Sequence, residues 1–353
     1  MNIRQATTQY ERWLASQMRL LPADLRLKHE WMREDPFPFL RATFYRWAQV
    51  WPEAAAPWAT GPKVLSVGDL HIENFGTWRD AEGRLVWGVN DFDEAYPLPY
   101  TNDLIRLATS AFLAVDQIDL SPKRAAAEIL RGYEAALRDG GGPFVLVDRA
   151  TPLRVMVRHR LKEPQKFWKK LKRFAPCHGP LPKGSRQAID TILPKPPIRL
   201  RFSHRIAGLG SLGRERFMGL GTWQGGNIAR EAKPLALSAC VFAGGSHCNR
   251  TYLEVAVRGA VRTQDPYWKP VGAWIARRLS PDCFRLELDH LPKDRDEMHL
   301  LYSMGWETAN IHLGSGKAAE IRRDLGRKPA RWLFQAAAAM EKQVLLDWRD
   351  WRK

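Results

Sequence analysis

The chain has 353 residues, 45% of them hydrophobic, with 15 Trp, which suits two lobes or one large domain with a subdomain and excludes a disordered or fibrous protein. No apolar run approaches the length of a membrane-spanning helix, and Cys177, Cys240, Cys248 and Cys283 form no CxxC pair, so the sequence predicts neither a disulfide framework nor a zinc ribbon and fits a reducing cytoplasm. Basic side chains outnumber acidic ones 55 to 38, a net charge of +17 that favours anionic partners.

The first twenty residues lack an apolar core and read as an amphipathic helix, not a signal peptide. Residues 1–60 read as helical, interrupted by proline-rich stretches at 36–38 and 54–62. Two strand-length apolar runs follow, Val64–Val67 and Leu85–Val89, each ending in an Asp-containing turn. A helix is predicted from Asn102 as N-cap, with Leu104, Leu107, Ala108, Ala111 and Phe112 on one face. The next has Ser121 as N-cap, Pro122 at its first position and the glycines 140–142 as its stop.

Residues 151–230 hold 18 Lys or Arg against Glu163, Asp190 and Glu215, a local balance of +15. Such a field draws nucleotides, phosphorylated substrates, nucleic acid or acidic lipid, although a solvated surface has the same composition. Proline and glycine at 176–197 place a lobe boundary near 190. Short strand-like runs separated by glycines occupy 198–240, and helix returns beyond 250. The last helix sets Leu333, Ala337, Met340, Val344, Trp348 and Trp351 at three- and four-residue steps, a core-facing stripe. The reading gives an α+β chain: a helical lobe over 1–190 with a basic segment at 151–190, a small β-rich lobe over 191–284, and helices over 285–353 that pack back on the first lobe.

The densest group of polar residues is Gly68–Asp69–Leu70–His71–Ile72–Glu73–Asn74, followed by Asn90–Asp91–Phe92–Asp93–Glu94. Each is an apolar strand delivering carboxylates at its end, where loops host function on a rigid scaffold. An Asp, an Asn five residues later and a second strand-end Asp form the layout phosphoryl transfer needs. One Asp accepts the attacking hydroxyl's proton, while the Asn and the second Asp offer oxygens to Mg²⁺ against nucleotide phosphates. Taken singly, Asp69 and Asp91 also read as turn caps.

A glycine-rich segment, Gly208–Leu209–Gly210–Ser211–Leu212–Gly213, lies far downstream. A dinucleotide fold needs a helix directly after the third glycine, and here a strand-like run follows, so the segment reads as a phosphate-covering flap or an ordinary glycine hairpin.

The segments GDLHIENFG and VNDFDEA resemble signatures of aminoglycoside phosphotransferase-like and other protein-kinase-like enzymes. More closely, the chain resembles a bacterial family known as domain of unknown function 2252, through DPFPFLRATFYRW, GDLHIENFG, VNDFDEAYPLPYTNDLIRLATS, RIAGLGSLGRERF, AREAKP and GWETANIHLGSG. The resemblance implies a two-lobe kinase-like fold, ATP and Mg²⁺ as cofactors, Asp69 as catalytic base, and Asn74 and Asp91 as metal ligands with Asp93 as a helper. Gly208, Gly210, Ser211 and Gly213 would form the phosphate flap. The glycine loop follows the catalytic loop, the reverse of kinase order, so the small lobe would be circularly permuted. Relatives carry KEA where this chain has Arg230–Glu231–Ala232. The phosphate-pairing Lys is thus replaced by Arg230 unless Lys233 reaches in, and a pseudoenzyme is a reading of that change.

Supporting candidates have plain readings too. Glu254 would pair with Arg230 or stand as a solvated helical acid. Asp103 would brace the catalytic loop or complement its helix N-terminus. His71 would contact phosphate or serve structurally, and His178 and His247 lack metal-ligand spacing. The expected function is an ATP- and Mg²⁺-dependent phosphotransferase acting on a hydroxyl acceptor. A metallophosphoesterase would need clustered His, and the nine here are scattered. A nucleic-acid-binding protein would use residues 151–230, where Phe167 and Trp168 interleave with basic side chains.

Overall fold

The computed structural model describes residues 1–114, 120–146, 152–161, 164–195, 198–245, 248–285 and 297–353. It is α+β, with small open sheets among helices. Asn2 and Gln5 cap α1 (Ile3–Ala15) reciprocally. Helices α2 (Pro22–Glu34) and α3 (Pro36–Ala42) both start on proline, where a missing N–H costs nothing, and Asp35 between them accepts a 2.8 Å bond from the Phe37 amide. Helix α4 (Phe44–Ala54) completes the N-terminal helical layer.

Strand β1 (Lys63–Ser66) leads into the Asp69 turn. Strands β2 (Phe75–Arg79) and β3 (Leu85–Val89) form an antiparallel hairpin, and β4 (Tyr96–Pro99) returns to pair antiparallel with β1. Helix α5 (Thr101–Leu113) is buried at every position from Thr101 to Phe112 and forms the spine of the helical body. It begins one residue before the expected cap. Asn102 instead turns inward, its amide donating to the Gly68 carbonyl at 3.3 Å and its oxygen accepting from the Trp47 indole at 3.0 Å. Helix α6 (Pro122–Asp139) has the expected Ser121 cap and ends at Gly140 with φ of 81°. Strand β5 (Phe144–Val145) adds to β3.

Helices α7 (Pro152–Leu161), α8 (Pro164–Lys172) and α9 (Lys183–Thr191) precede β6 (Arg201–His204), β7 (Phe217–Trp223) and β8 (Gly226–Pro234). Short helices α10 (Ala239–Gly244) and α11 (Leu253–Gly259) separate these from β9 (Lys269–Val271) and β10 (Trp274–Leu279). The five strands form one antiparallel sheet ordered β6-β7-β8-β10-β9. Its two faces carry alternate residues of each strand. Leu171 of α8 covers Met218, Leu220, Ala229 and Leu279, while Ala188 and Ile189 of α9 cover Ala232 and Ala276 on the other face. Both helices therefore pack with this sheet although α8 precedes residue 190 and α9 begins before it. The rings of Phe167 and Trp168 pack on the sheet between exposed lysines, so they cover an apolar face and are not free stacking platforms.

Helices α12 (Glu297–Leu313), α13 (Ala318–Leu325) and α14 (Trp332–Arg352) pack against α5 and α6. The predicted stripe on α14 is buried at Leu333, Ala337, Met340, Val344 and Trp351. Among the described residues no helix is long and apolar enough to cross a membrane.

Candidate active site

The turn after β1 is held from below by α5. Gly68 has φ of 82°, and a Cβ there would fall 2.3 Å from the Glu94 carbonyl oxygen, so a side chain cannot be accommodated. Asp103 accepts from the Val67 amide at 2.7 Å and the Gly68 amide at 3.0 Å. Its carboxylate also meets His312 Nε2 at 3.0 Å, and His312 Nδ1 lies 2.8 Å from the Tyr133 hydroxyl. Asp103 and His312 are fully buried, so this chain is strong only because each polar group has a partner.

One turn along α5, Arg106 fixes Asp69. Its Nε donates to Asp69 Oδ1 at 2.8 Å, its Nη2 donates to the same oxygen, and Nη2 also reaches the Leu40 carbonyl at 2.9 Å. The guanidinium sits 5.0 Å from the Phe44 ring and 4.9 Å from that of Trp47. Asp69 Oδ2 makes no hydrogen bond among the described residues. Burial pushes the Asp69 carboxyl above its ordinary range, against the opposing pull of Arg106.

Asn74 ties the two acidic turns together. Its amide nitrogen donates to the Asp69 carbonyl at 3.2 Å and the Asp91 carbonyl at 3.1 Å. The other side of that amide, Oδ1, is buried with no partner among the described residues. Asp91 Oδ1 accepts from the Asp93 amide at 3.2 Å and from Lys233 at 3.1 Å, and its Oδ2 makes no hydrogen bond among the described residues. Asp93 is different. One oxygen takes Lys233 at 2.6 Å and the other faces Arg214 at 3.8 Å. Burial opposes ionisation of Asp91, but Lys233 and further cations hold its carboxyl well below the ordinary range. Burial and then the neighbouring Asp91 raise Asp93.

Lys233 reaches these acids because strand alternation sends it to the same face of β8 as Glu231. Arg230 faces the other way, donating to the Ile192 carbonyl at 3.0 Å with its guanidinium over the Tyr267 ring. The position expected to replace the phosphate-pairing Lys is thus outside the site, and Lys233 is inside it. Glu254 is also outside: on α11 it pairs with Arg258 at 2.7 Å and stays solvated. Glu231, fully buried, pairs with Arg216, Arg277 and Arg205; burial works against its charge, but these guanidiniums hold it well below the ordinary carboxylate range.

The glycine segment joins β6 to β7 and lies over the Asp69 turn. A Cβ at Gly210 would stand 3.6 Å from Asp69 Oδ2. Asp69, His71, Asn74, Asp91 and Asp93 line one cavity of about 50 Å³ with Gly208, Gly210 and Ser211, room for a few water molecules. Gly213 does not line it. A Cβ there would fall 2.3 Å from Leu25 Cδ2, and its carbonyl accepts from the Leu21 amide at 2.8 Å, so it is small because α2 packs against it. Lys28 of α2, buried, donates to the Gly210 carbonyl at 3.2 Å, and burial with Arg214 nearby pushes its pKa down to about 8.

The sequence reading missed Arg106, Lys28, Arg41, Arg214 and Arg285, the last three of which line the cavity. Arg106 had a signal, since it lies three residues after Asp103 on one helical face. His247 lies outside the described residues.

The free acceptors fit a magnesium ion. Asn74 Oδ1 and Asp91 Oδ2 are hard oxygens without partners among the described residues, which is the small donor set Mg²⁺ uses when nucleotide phosphates supply the rest. Asp93 fits less well, because cations face both its oxygens. Among the described residues no three His, Cys, Asp or Glu side chains cluster as a metal cage.

Residues 19–163 match a family described as an uncharacterized protein conserved in bacteria (DUF2252). The matched segment contains Asp69, His71, Asn74, Asp91, Asp93, Asp103 and Arg106, whereas the glycine turn and Lys233 lie beyond it. No curated protein and no solved structure matches the chain.

Proposed function

We propose that this protein is a cytoplasmic phosphotransferase that uses ATP with Mg²⁺ to phosphorylate a hydroxyl group, on a two-lobed kinase-like frame with its small lobe permuted to the C-terminal side. The observation that carries the reading is convergence: a glycine turn and a lysine from one sheet meet Asp69, Asn74 and Asp91 from the turns of two others. In this reading Asp69, oriented by Arg106 through one oxygen, takes the acceptor's proton on the other. The acceptor oxygen bonds to the γ-phosphorus as the bond from that phosphorus to the β,γ-bridging oxygen breaks, and ADP leaves. Asn74 and Asp91 would hold Mg²⁺, whose contribution is to neutralise phosphate charge. Lys233 takes the phosphate-pairing role first expected of Arg230. In this reading the glycine turn lifts to admit the triphosphate, as lids do in such enzymes.

The test is ATP binding with and without magnesium, then ATP consumption against a panel of hydroxyl compounds, with Asp69→Asn and Asp91→Ala. Asp69→Asn is expected to lower turnover by about 100-fold or more while sparing ATP binding, and Asp91→Ala to abolish the magnesium-dependent part of binding. Binding without turnover under every condition would make the protein a pseudoenzyme. Absence of nucleotide binding would refute the proposal and favour a polyanion-binding role for residues 151–230.

A further inference from the structure

The flank of the cavity beside His71 carries two guanidiniums, Arg41 and Arg285, with Glu73 and Asp91 as the acids that act on Arg285. Arg285 enters where its backbone bridges to Gly76 at the edge of β2 and Thr77 donates to the Phe284 carbonyl at 2.9 Å. Its guanidinium lines the cavity and makes no ion pair or hydrogen bond among the described residues. Arg41, at the end of α3, gives one nitrogen to Glu73, while its buried Nε has no partner. The His71 ring, only 6% exposed, also has a buried Nδ1 without a partner.

These groups make an electrostatically strained corner. Burial, together with Arg41, pushes the Arg285 pKa down to about 10 against the opposing pull of Asp91 and Glu73. Burial, Arg41 and Arg285 likewise hold the His71 ring well below its ordinary value, so it stays neutral and can donate a hydrogen bond without adding charge. Arg41 and Arg285 line one partly buried cavity, where an anion would relieve the repulsion between them, and planar forks of this kind bind oxyanions through paired N–H bonds. The corner differs from the nucleotide side, where Lys233 and the glycine turn approach from the five-stranded sheet. The free oxygen of Asp69 lines the same cavity.

We propose that Arg41, Arg285 and His71 form an oxyanion subsite for the phosphoryl acceptor, so that the acceptor is an alcohol bearing a phosphate or a carboxylate group. The identification of that anion as the acceptor's rests on the phosphotransferase reading; the subsite itself rests on the Arg285 guanidinium, the Arg41 Nε and the His71 Nδ1, none of which has a hydrogen-bond partner among the described residues.

The experiment uses the full chain and measures thermal stability and calorimetric binding with glycerol 3-phosphate, glycerate and glycerol as probes. Each is measured with and without magnesium and a non-hydrolysable ATP analogue. At least one of the two anions is expected to bind tenfold or more tightly than glycerol, and which one does tells phosphate from carboxylate recognition. Binding should persist when the analogue saturates its own site. Arg285→Gln is expected to weaken the anion tenfold or more, and Arg285→Lys to restore part of the loss. In anion-free buffer Arg285→Gln should keep or raise the melting temperature, because Arg285 makes no ion pair or hydrogen bond among the described residues. A lower melting temperature there would show a structural side chain and overturn the assignment. So would equal binding of all three probes, anion binding unaffected by Arg285→Gln, or one-for-one competition with the analogue, which would place the γ-phosphate in the corner. Anion binding through Arg285 in a protein that binds no magnesium nucleotide would support the subsite and overturn only the phosphotransferase reading.

Discussion

Lys233 Nζ lies 2.6 Å from Asp93 and 3.1 Å from Asp91, joining the five-stranded sheet to the acidic turn after β3. The lysine is almost completely enclosed, so the two carboxylates depend on it for compensation. Lys233→Met should weaken ATP binding at least tenfold and destabilise the fold by about 3 kcal/mol, because removing one member of a buried ion cluster strands the others. Arg230→Met, on the opposite face of β8, should leave ATP affinity within twofold of wild type. Calorimetric titration of both variants checks this, and equal losses of affinity would contradict the assignment of Lys233.

Asp103 supports the site without lining its cavity. It accepts two backbone N–H bonds at the Asp69 turn and meets the His312 ring, all in full burial. Asp103→Asn keeps the shape but turns an NH₂ group toward a donor. The expected cost is about 3 kcal/mol, larger than for a neutral hydrogen bond because the lost acceptor is charged and buried. Urea denaturation measures it, and a change below about 0.5 kcal/mol, the scale of an ordinary surface substitution, would show that the turn is held by other means.

Which parts were legible follows from how local each signal is. Asp69 and Asp91 could be found because an apolar run followed by an acidic turn is a short pattern. The Ser121 and Gly140 boundaries of α6 and the stripe on α14 were equally local. Asn102 was misplaced because a capping residue type also suits an inward-facing amide, and only the burial of all of α5 decides between them. Arg230 was preferred to Lys233 by motif position, whereas alternation within Gly226–Pro234 puts Glu231 and Lys233 on one face and Arg230 on the other. Helices α8 and α9 were assigned to the first lobe since nothing in their own residues specifies contact with strands dozens of residues later. Arg285 and Lys28 carry no local signal; they matter only through the cavity and the glycine turn they reach.

Asn74 makes a prediction that needs no ligand. Its NH₂ group serves the Asp69 and Asp91 carbonyls while its oxygen stays unpartnered. Asn74→Ala removes both bonds and should cost about 1–2 kcal/mol. Asn74→Asp should cost more, because a carboxylate oxygen would then face two carbonyl oxygens. The order wild type, Asn74→Ala, Asn74→Asp in denaturation midpoint is the expected result. An Asp variant as stable as wild type would mean that the amide orientation is reversed, which would also remove Asn74 Oδ1 as a metal ligand.

Lys28 ties the glycine turn to α2 and makes stability depend on pH in a definite direction. Its ordinary pKa of 10.5 falls to about 8 in the fold, so between these values the unfolded chain holds a proton that the folded chain has released. Stability from this group therefore rises with pH across that window. Below pH 8 both states are protonated and the full cost of burying the cation is present. At 1.36 kcal/mol per unit the rise amounts to about 3 kcal/mol. Tyrosines and other lysines titrate in the same range, so the measurement is the difference between wild type and Lys28→Met, followed by denaturant unfolding from pH 7 to 10.5. That difference should stay flat up to about pH 8 and then move in favour of wild type. The neutral amine still has hydrogens to donate to the Gly210 carbonyl, so the turn should remain in place while the burial cost disappears. A difference that stays constant through pH 10.5 would mean that Lys28 reaches water and that α2 does not seal the glycine turn.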